Sequence, residues 1–566
     1  MPTASQEADI IESSRKGGMA KSFFAYAKMD GPGWWISGAS LSAGTLMGSI
    51  GLGLRLGPDA LWIQAAAMLL GLFSLFAVSH ITLNCQQSLF AILKNDWNKS
   101  LAMWLAISAM ITSFTWCMPQ FRFGVEITVS TLIPALDNKG GKALTAFILL
   151  SITIGLSLLY EKQGPRSAVF YWILKLLVLF VVISSLASVI LLISQAKVSY
   201  NELFSGLVPS YSVLSEPAPC FIPLLEKMGN MGPFWVNEIM NKQRELVLVC
   251  FSSTLGVNLL FALPLLLLNR NWRRVHVGFA KFNLFTTAFI PFAITTTCLS
   301  LLSVIAFQQE YAAGTYDEIH NNSDVQDLLN RRIASDIGLE NFQALAPFQQ
   351  GEKIQSLTAE EKQLATLVVG RSFNQWIHSL TQVGGDSLMY LLGCMVFVIS
   401  LSTIVVLMII NGHLLCEILG KPHKGAAFQS GSLLLALASI GPFVWSGQNN
   451  WISDPTYFVS LAILPFALLS FFLLLNNSDI MGRERPRGIA GGLLNVGTLA
   501  SFLFIGSSAL YLVWNQSWKE YPIGKALLVI IGILLLISHF SLRNEKLSRR
   551  ISGLETKIKQ ITTQKK

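Results

Sequence analysis

The stretch Gly31–Leu56 reads GPGWWISGASLSAGTLMGSIGLGLRL. It is apolar enough to cross a bilayer, yet small and helix-breaking residues interrupt its middle at Ser42-Ala43-Gly44-Thr45. A spanning helix broken at membrane depth leaves backbone N–H and C=O groups unpaired. Hydrocarbon cannot satisfy them, so such a break survives only where protein or a watery cavity encloses it. The break is therefore read as one half of a substrate site.

Working outward, the rest of the chain has the same character. Of its 566 residues, 52% are hydrophobic and only 13% charged, and the mean hydropathy is +0.53. A soluble globular chain carries about a quarter charged residues, so the expected class is a polytopic α-helical membrane protein. The net charge of +9 belongs to loops on one side of the membrane rather than to nucleic-acid binding. Seven cysteines are scattered singly, with neither a metal-type spacing nor a disulfide framework. The polar N-terminus MPTASQEADIIESSRKGG is not expected to be a cleaved signal peptide.

Spanning a ~30 Å hydrocarbon core takes about 20 apolar residues. Twelve ranges qualify, near 33–56, 58–84, 101–135, 142–160, 167–194, 245–268, 277–307, 387–411, 425–445, 456–475, 488–514 and 526–542. With the N-terminus inside, the short inner loops hold Lys94, Lys99, Lys162, Arg166, Arg270, Arg273, Arg274, Lys421, Lys424, Arg483, Arg485 and Arg487. The short outer loops hold Arg55, Lys139, Lys142, Lys519 and Lys525, so the inner side leads by twelve to five. This asymmetry puts both termini in the cytoplasm. The expected organisation is a cytoplasmic tail (1–30), a first repeat of spans 1–5 (31–194), an outer connection (195–244) and a second repeat of spans 6–10 (245–475). Within that second repeat lies a polar, acidic outer loop (308–386) that is read as a gate, a cation collector or a passive surface. Spans 11 and 12 (476–542) and a basic cytoplasmic tail (543–566), solvated or lying on anionic lipid, complete the chain.

Span 6, ELVLVCFSSTLGVNLLFALPLLLL, is the second interrupted helix. Gly256 and Asn258 soften it, and Pro264 removes a backbone donor and clashes with the preceding turn. Interruptions in spans 1 and 6, five spans apart, are the sequence pointer to an inverted-repeat transporter with its site between the breaks. Ordinary spans packed through small residues are the competing reading.

Several stretches resemble the Nramp (natural resistance-associated macrophage protein) family of proton-coupled divalent-metal transporters. These are GPGWW…SAGT in span 1, LPFALLSFFLLLNNSDIMG (Leu464–Gly482) in span 10, and Ser400–Ile404 before Asn411-Gly412-His413 in span 8. WCMPQF (Trp116–Phe121) and RRVHVGFAKFN (Arg273–Asn283) look like a divergent bacterial subgroup. The resemblance implies a leucine-transporter-like all-α fold, a 5+5 inverted repeat with two additional helices, in a bacterial inner membrane. It also implies a metal held by the Asp and Asn of the span 1 break, a Met before the span 6 proline and a Gln in span 10. Carried over, those positions are Ser42, Thr45, Leu263 and Ile463, so the family's carboxylate and thioether are both missing. Hydroxyls of Ser40, Ser42 and Thr45, the amide of Asn258 and the Thr295–Thr297 cluster remain as donors. They suit a partly hydrated cation or a small polar solute.

Charges at membrane depth are functional by default. Lys175, in YWILKLLVLF of span 5, is read either as snorkelling to the inner interface or as an ammonium standing in for a bound sodium beside Ser402 and Thr403. Amino-acid transporters of the same fold suggest the second role, which would couple transport to protons. Arg122 and Glu126, four apart in span 3, are read as a structural pair. His80 and His413 are read as isolated, hydrogen-bonded histidines. No nucleophile elbow, zinc motif or P-loop is present, so neither enzyme activity nor a cofactor is expected.

The reading that follows is a secondary-active transporter with substrate between Ser42–Thr45 and Asn258–Pro264. Its leading cargo class is a metal cation. A small organic solute is the alternative, and a non-transporting membrane sensor a third; oligomeric state is left open.

Overall fold

The computed structural model describes residues 4–162, 165–193, 206–313, 323–369, 373–444, 455–517 and 521–537. Among these, nine helices are long and apolar enough to cross a membrane. They become ten if Ser460–Asn476 and Ser478–Glu484, bent by 55°, form one span. One of the nine, Ala43–Cys85, holds two helices, Ala43–Leu56 and Leu61–Cys85, joined by the tight turn Gly57–Ala60. The shorter helix Ile523–Ile537 falls on the twelfth expected range. Every expected span thus coincides with a helix, and the protein is a multi-pass, all-helical integral membrane protein.

Apolar exposure shows which helices meet lipid. Phe147 and Ile148 on span 4, Ile183 and Ile190 on span 5, and Leu493 and Val496 on span 11 are all exposed, as the hydrocarbon environment permits. Spans 1, 6 and 8 lie inside, with Ile36, Leu259, Leu263 and Ile404 fully buried. Burial among lipid-like chains gains little from water exclusion, so close packing has to hold these helices together. The second half of span 1 runs along span 7, and Gly53 makes that approach work, because a Cβ there would collide with the Ser300 carbonyl. Span 8 packs against spans 3, 5 and 9.

Two regions differ from their sequence reading. Residues 1–30 were expected to be a tail, yet helices Ala4–Lys16 and Gly18–Ala27 fold against the protein. Glu7 is 1% exposed, accepts from Trp272 Nε1 at 2.8 Å and faces Arg270 at 3.5 Å. Hydropathy alone missed this docking, since only Glu7, Ile11 and Ser14 of the first helix are buried. The two long connections, read as separate outer segments, share a small core of their own. Phe221, Leu224, Trp235 and Ile239 pack with Leu328, Leu329, Leu364 and Val368. An ion pair, Arg332 Nε to Glu361 Oε1 at 2.6 Å with both side chains 8% exposed, closes that core. The expected tail 543–566 lies outside the described residues.

Candidate functional site

Span 1 is broken at the leading edge of the expected stretch, at Leu41 and Ser42, while Ala43, Gly44 and Thr45 already form the first turn of the next helix. Helix Gly33–Ser40 ends, Leu41 and Ser42 take non-helical backbone angles, and helix Ala43–Leu56 begins with Ser42 as its cap. The groups freed by the break are taken up by short polar side chains. Ser42 Oγ accepts from Thr45 N at 3.5 Å, and Thr45 Oγ1 donates to the Ser40 carbonyl at 2.6 Å. Ala43 N donates to Gln120 Oε1 of span 3 at 3.0 Å. From span 8, Thr403 Oγ1 reaches both the Gly38 and Leu41 carbonyls at 3.0 Å. Ser402 Oγ bonds within its own helix, to the Ile399 carbonyl at 3.1 Å. Backbone carbonyls and hydroxyls therefore converge where spans 1 and 8 touch.

Span 6 breaks eight residues earlier than its proline suggests. Helix Gly232–Ser253 stops, Thr254 and Leu255 make the turn, and Gly256 caps helix Val257–Asn269. Pro264 sits inside that second helix. Proline removes only its own N–H and crowds one preceding turn, which a packed helix tolerates where no break is needed. Gly256 must be glycine, since a Cβ would meet the Trp116 ring at 2.9 Å and collide with Asn258 Oδ1. In the first turn of the new helix, Asn258 Oδ1 accepts from Leu259 N at 2.9 Å, and its Nδ2 donates to Ser113 Oγ at 3.3 Å. Thr254 Oγ1 turns back to the Cys250 carbonyl at 2.7 Å.

Both breaks lie against one face of span 3. Ser113 and Trp116 meet the span 6 break, and Gln120, one turn further on, meets the span 1 break. Gln64 of span 2 adds a link from the other side, donating weakly to the Thr45 carbonyl and to Cys250 Sγ, at 3.5 and 3.6 Å. Two donors beside the breaks have no partner: Ser40 Oγ and Trp116 Nε1. On span 7, Thr295 Oγ1 is likewise unpartnered. Among the described residues, no group of three or more His, Cys, Asp or Glu side chains is placed to hold a metal ion.

The structure therefore brings together Ser42, Ala43, Thr45, Asn258 and Thr403 around the breaks, and Gly44 sits in open space beside Ser42, whereas Ser402 bonds within its own helix. Leu263 and Ile463, by contrast, belong to the apolar core, at 0% and 5% exposure. Leu263 and Pro264 lie in the helix beyond the break, not at it. Lys175 does not join Ser402 and Thr403. Its ammonium pairs with Asp30 at 3.4 Å and lies over the rings of Trp34 and Trp172 at 5.3 and 5.0 Å. Asp30 also accepts from Trp34 Nε1 at 2.9 Å, so Lys175 is held at the start of span 1. Arg122 and Glu126 do pair, at 2.8 Å. The residues missed by sequence reading are Gln120, Gln64, Ser113, Trp116 and Thr254. A Gln inside an apolar span is a legible signal, because lipid exposure of an amide is costly; Trp116 and Gln120 both lie in the WCMPQF motif, which pointed to a resemblance but not to a role at the breaks.

No family model matches the sequence, and no curated protein matches it either. The fold is similar to a crystal structure of the manganese transporter of Eremococcus coleocola in complex with an aromatic bis-isothiourea substituted compound. The TM-score is 0.60 at 13% identity, over 93% of this chain and 96% of that one. A lower overlap, TM-score 0.45 at 11% identity over 89% and 97% of the two chains, is found with Mhp1, a nucleobase-cation-symport-1 family transporter. The chain shares the overall helical fold of that manganese transporter structure.

Proposed function

We propose that this protein is a secondary-active transporter working by alternating access, with its cargo bound between the breaks of spans 1 and 6. Ser42, Ala43, Gly44, Thr45 and Asn258 would line the site, and Ser113, Trp116 and Gln120 would face them from span 3. The observation that carries the cargo class is the donor set. It consists of hydroxyls, carbonyls, amides and one indole N–H without a partner, and it contains no carboxylate. An indole N–H only donates, so it contributes nothing to a cation. It does suit the oxygen of a small polar organic solute. A buried donor without an acceptor costs about 1–3 kcal/mol, which such a solute would recover.

A metal cation is the second reading, favoured by the fold overlap with a manganese transporter. A dehydrated divalent ion among neutral oxygens would bear a large desolvation cost, so the cation would have to keep part of its water shell. A coupling cation or proton is proposed to act where the Thr403 hydroxyl lies between the Gly38 and Leu41 carbonyls. Lys175 is proposed to steady the start of span 1 through Asp30.

The experiment is thermal stabilisation of the purified protein against amino acids, nucleobases and small polar solutes on one side, and Mn, Fe, Mg, Ca and Co salts on the other. A ligand stabilises the state that binds it. Hits are then carried into proteoliposome uptake with and without a pH gradient. Stabilisation and uptake of an organic solute, weakened about tenfold in Trp116→Phe, support the reading. Silence towards every solute and salt favours the sensor.

A further inference from the structure

Away from the breaks, His413 is not the isolated histidine of the sequence reading. It belongs to an unbroken hydrogen-bonded chain on the face of the protein that carries the N-terminus. Ser88 Oγ donates to Glu417 Oε2 at 2.8 Å, and Glu417 Oε1 meets His423 Nε2 at 3.1 Å. His423 Nδ1 faces His413 Nδ1 at 3.1 Å, and His413 Nε2 meets the Tyr160 hydroxyl at 3.0 Å. The chain runs from water to the interior: the His423 side chain is 27% exposed, whereas His413 is 2% exposed.

Chemistry orients this chain. A carboxylate only accepts, so His423 Nε2 carries the proton that faces Glu417. Neutral His423 then offers Nδ1 as an acceptor, His413 must donate from Nδ1, and its Nε2 accepts from Tyr160. A second proton on His423 makes Nδ1 a donor as well. His413 must then accept at Nδ1 and carry its own proton on Nε2, where it donates to the Tyr160 oxygen. The balance is one proton taken from water. Afterwards His423 holds two protons, His413 one and Tyr160 one; His423 Nε2 still donates to Glu417, while the donors between His423 and Tyr160 now point towards Tyr160.

Tyr160 is placed to pass that reversal on. Its ring packs edge-on against Trp35, in the first half of span 1, at 5.0 Å and against Phe170 of span 5 at 5.5 Å. Its other polar neighbour is the Asn269 side chain at the end of span 6. Once His413 donates to it, the hydroxyl has to turn away from His413. Other ionisable groups beside the chain include Glu161, Cys416 and Lys424, with Lys162 and Lys421 adjacent in sequence. Glu161 is occupied by Gly425 N at 2.6 Å and Gln429 Nε2 at 2.8 Å, and so holds the His423 loop against span 4.

We propose that His423, His413 and Tyr160 form a proton-binding switch that reports acidity on this face, the cytoplasmic one by its positive charge, to the first half of span 1. The proposal is independent of the cargo. It is tested by hydrogen exchange of the purified protein, corrected for intrinsic rates, on peptides covering 31–41, 155–162 and 413–423 at pH 7.5 and 5.5. The expected result is roughly a tenfold loss of protection in the 31–41 and 155–162 peptides on acidification, absent in His423→Asn. In Tyr160→Phe, the span 1 peptide should lose its response while the His413–His423 segment keeps one. An unchanged span 1 response in either variant, or no response in the wild type, overturns the proposal.

Discussion

The two interrupted helices are interrupted in different ways. At the span 1 break, the freed backbone groups are met by polar side chains from three helices: Thr45 of its own span, Gln120 of span 3 and Thr403 of span 8. At the span 6 break, the turn is made mostly by fit. Gly256 leaves room for the Trp116 ring, Leu255 is fully buried, and Asn258 bonds within the first turn of its own helix. One break is held by hydrogen bonds and the other by shape. A bond-held break can exchange partners with a bound molecule, whereas a shape-held break can only pivot. Under the proposed function, the span 1 break is the half that would exchange backbone partners with cargo, and the span 6 break, beside Trp116, the half that would pivot against it.

Four substitutions would break or sharpen this contrast. The largest effect is expected from Gly256→Ala, which drives a Cβ into Asn258 and Trp116. Overpacking of this kind costs about 1–3 kcal/mol, so the melting temperature should fall the most and transport should be lost. Next comes Thr403→Val, which leaves the Gly38 and Leu41 carbonyls unpaired at about 2 kcal/mol, with Thr403→Ser retaining most of the wild-type stability. Equal melting temperatures for the two would show that Thr403 does not hold span 1. A smaller loss, about 1 kcal/mol or less, is expected from Ser42→Ala, because its capping bond is long at 3.5 Å. The smallest is Pro264→Ala. With the break at Thr254–Gly256 and Pro264 in a helix interior, restoring an N–H there should leave stability unchanged or raise it. A drop comparable to that of Gly256→Ala would move the hinge to Pro264.

Pro264 also shows what sequence alone can carry. Hydropathy placed the spans because length and apolarity leave few alternatives at membrane depth, and the Ser42–Thr45 break was legible because small polar residues interrupt an otherwise apolar run. For span 6, the proline was the loudest local signal and the quieter Thr254-Leu255-Gly256 was the break, since only packing against Trp116 and Asn258 selects it. Leu263 and Ile463 entered by family resemblance and lie in apolar core. Lys175 was legible as a functional charge at depth, but its partner Asp30, 145 residues away in the chain, was not. The histidine chain was invisible for the same reason: His413 and His423 are silent singly, and Tyr160 reads as an ordinary aromatic.

The proposed cargo site at the span 1 break offers no anionic ligand among the described residues, and so should not hold a bare divalent metal. Calorimetric titration of the purified protein with Mn²⁺ tests it most directly. The account predicts no saturable site at micromolar concentration, in the wild type or in Ser42→Ala and Thr45→Val. A micromolar Mn²⁺ site that either substitution abolishes would contradict it.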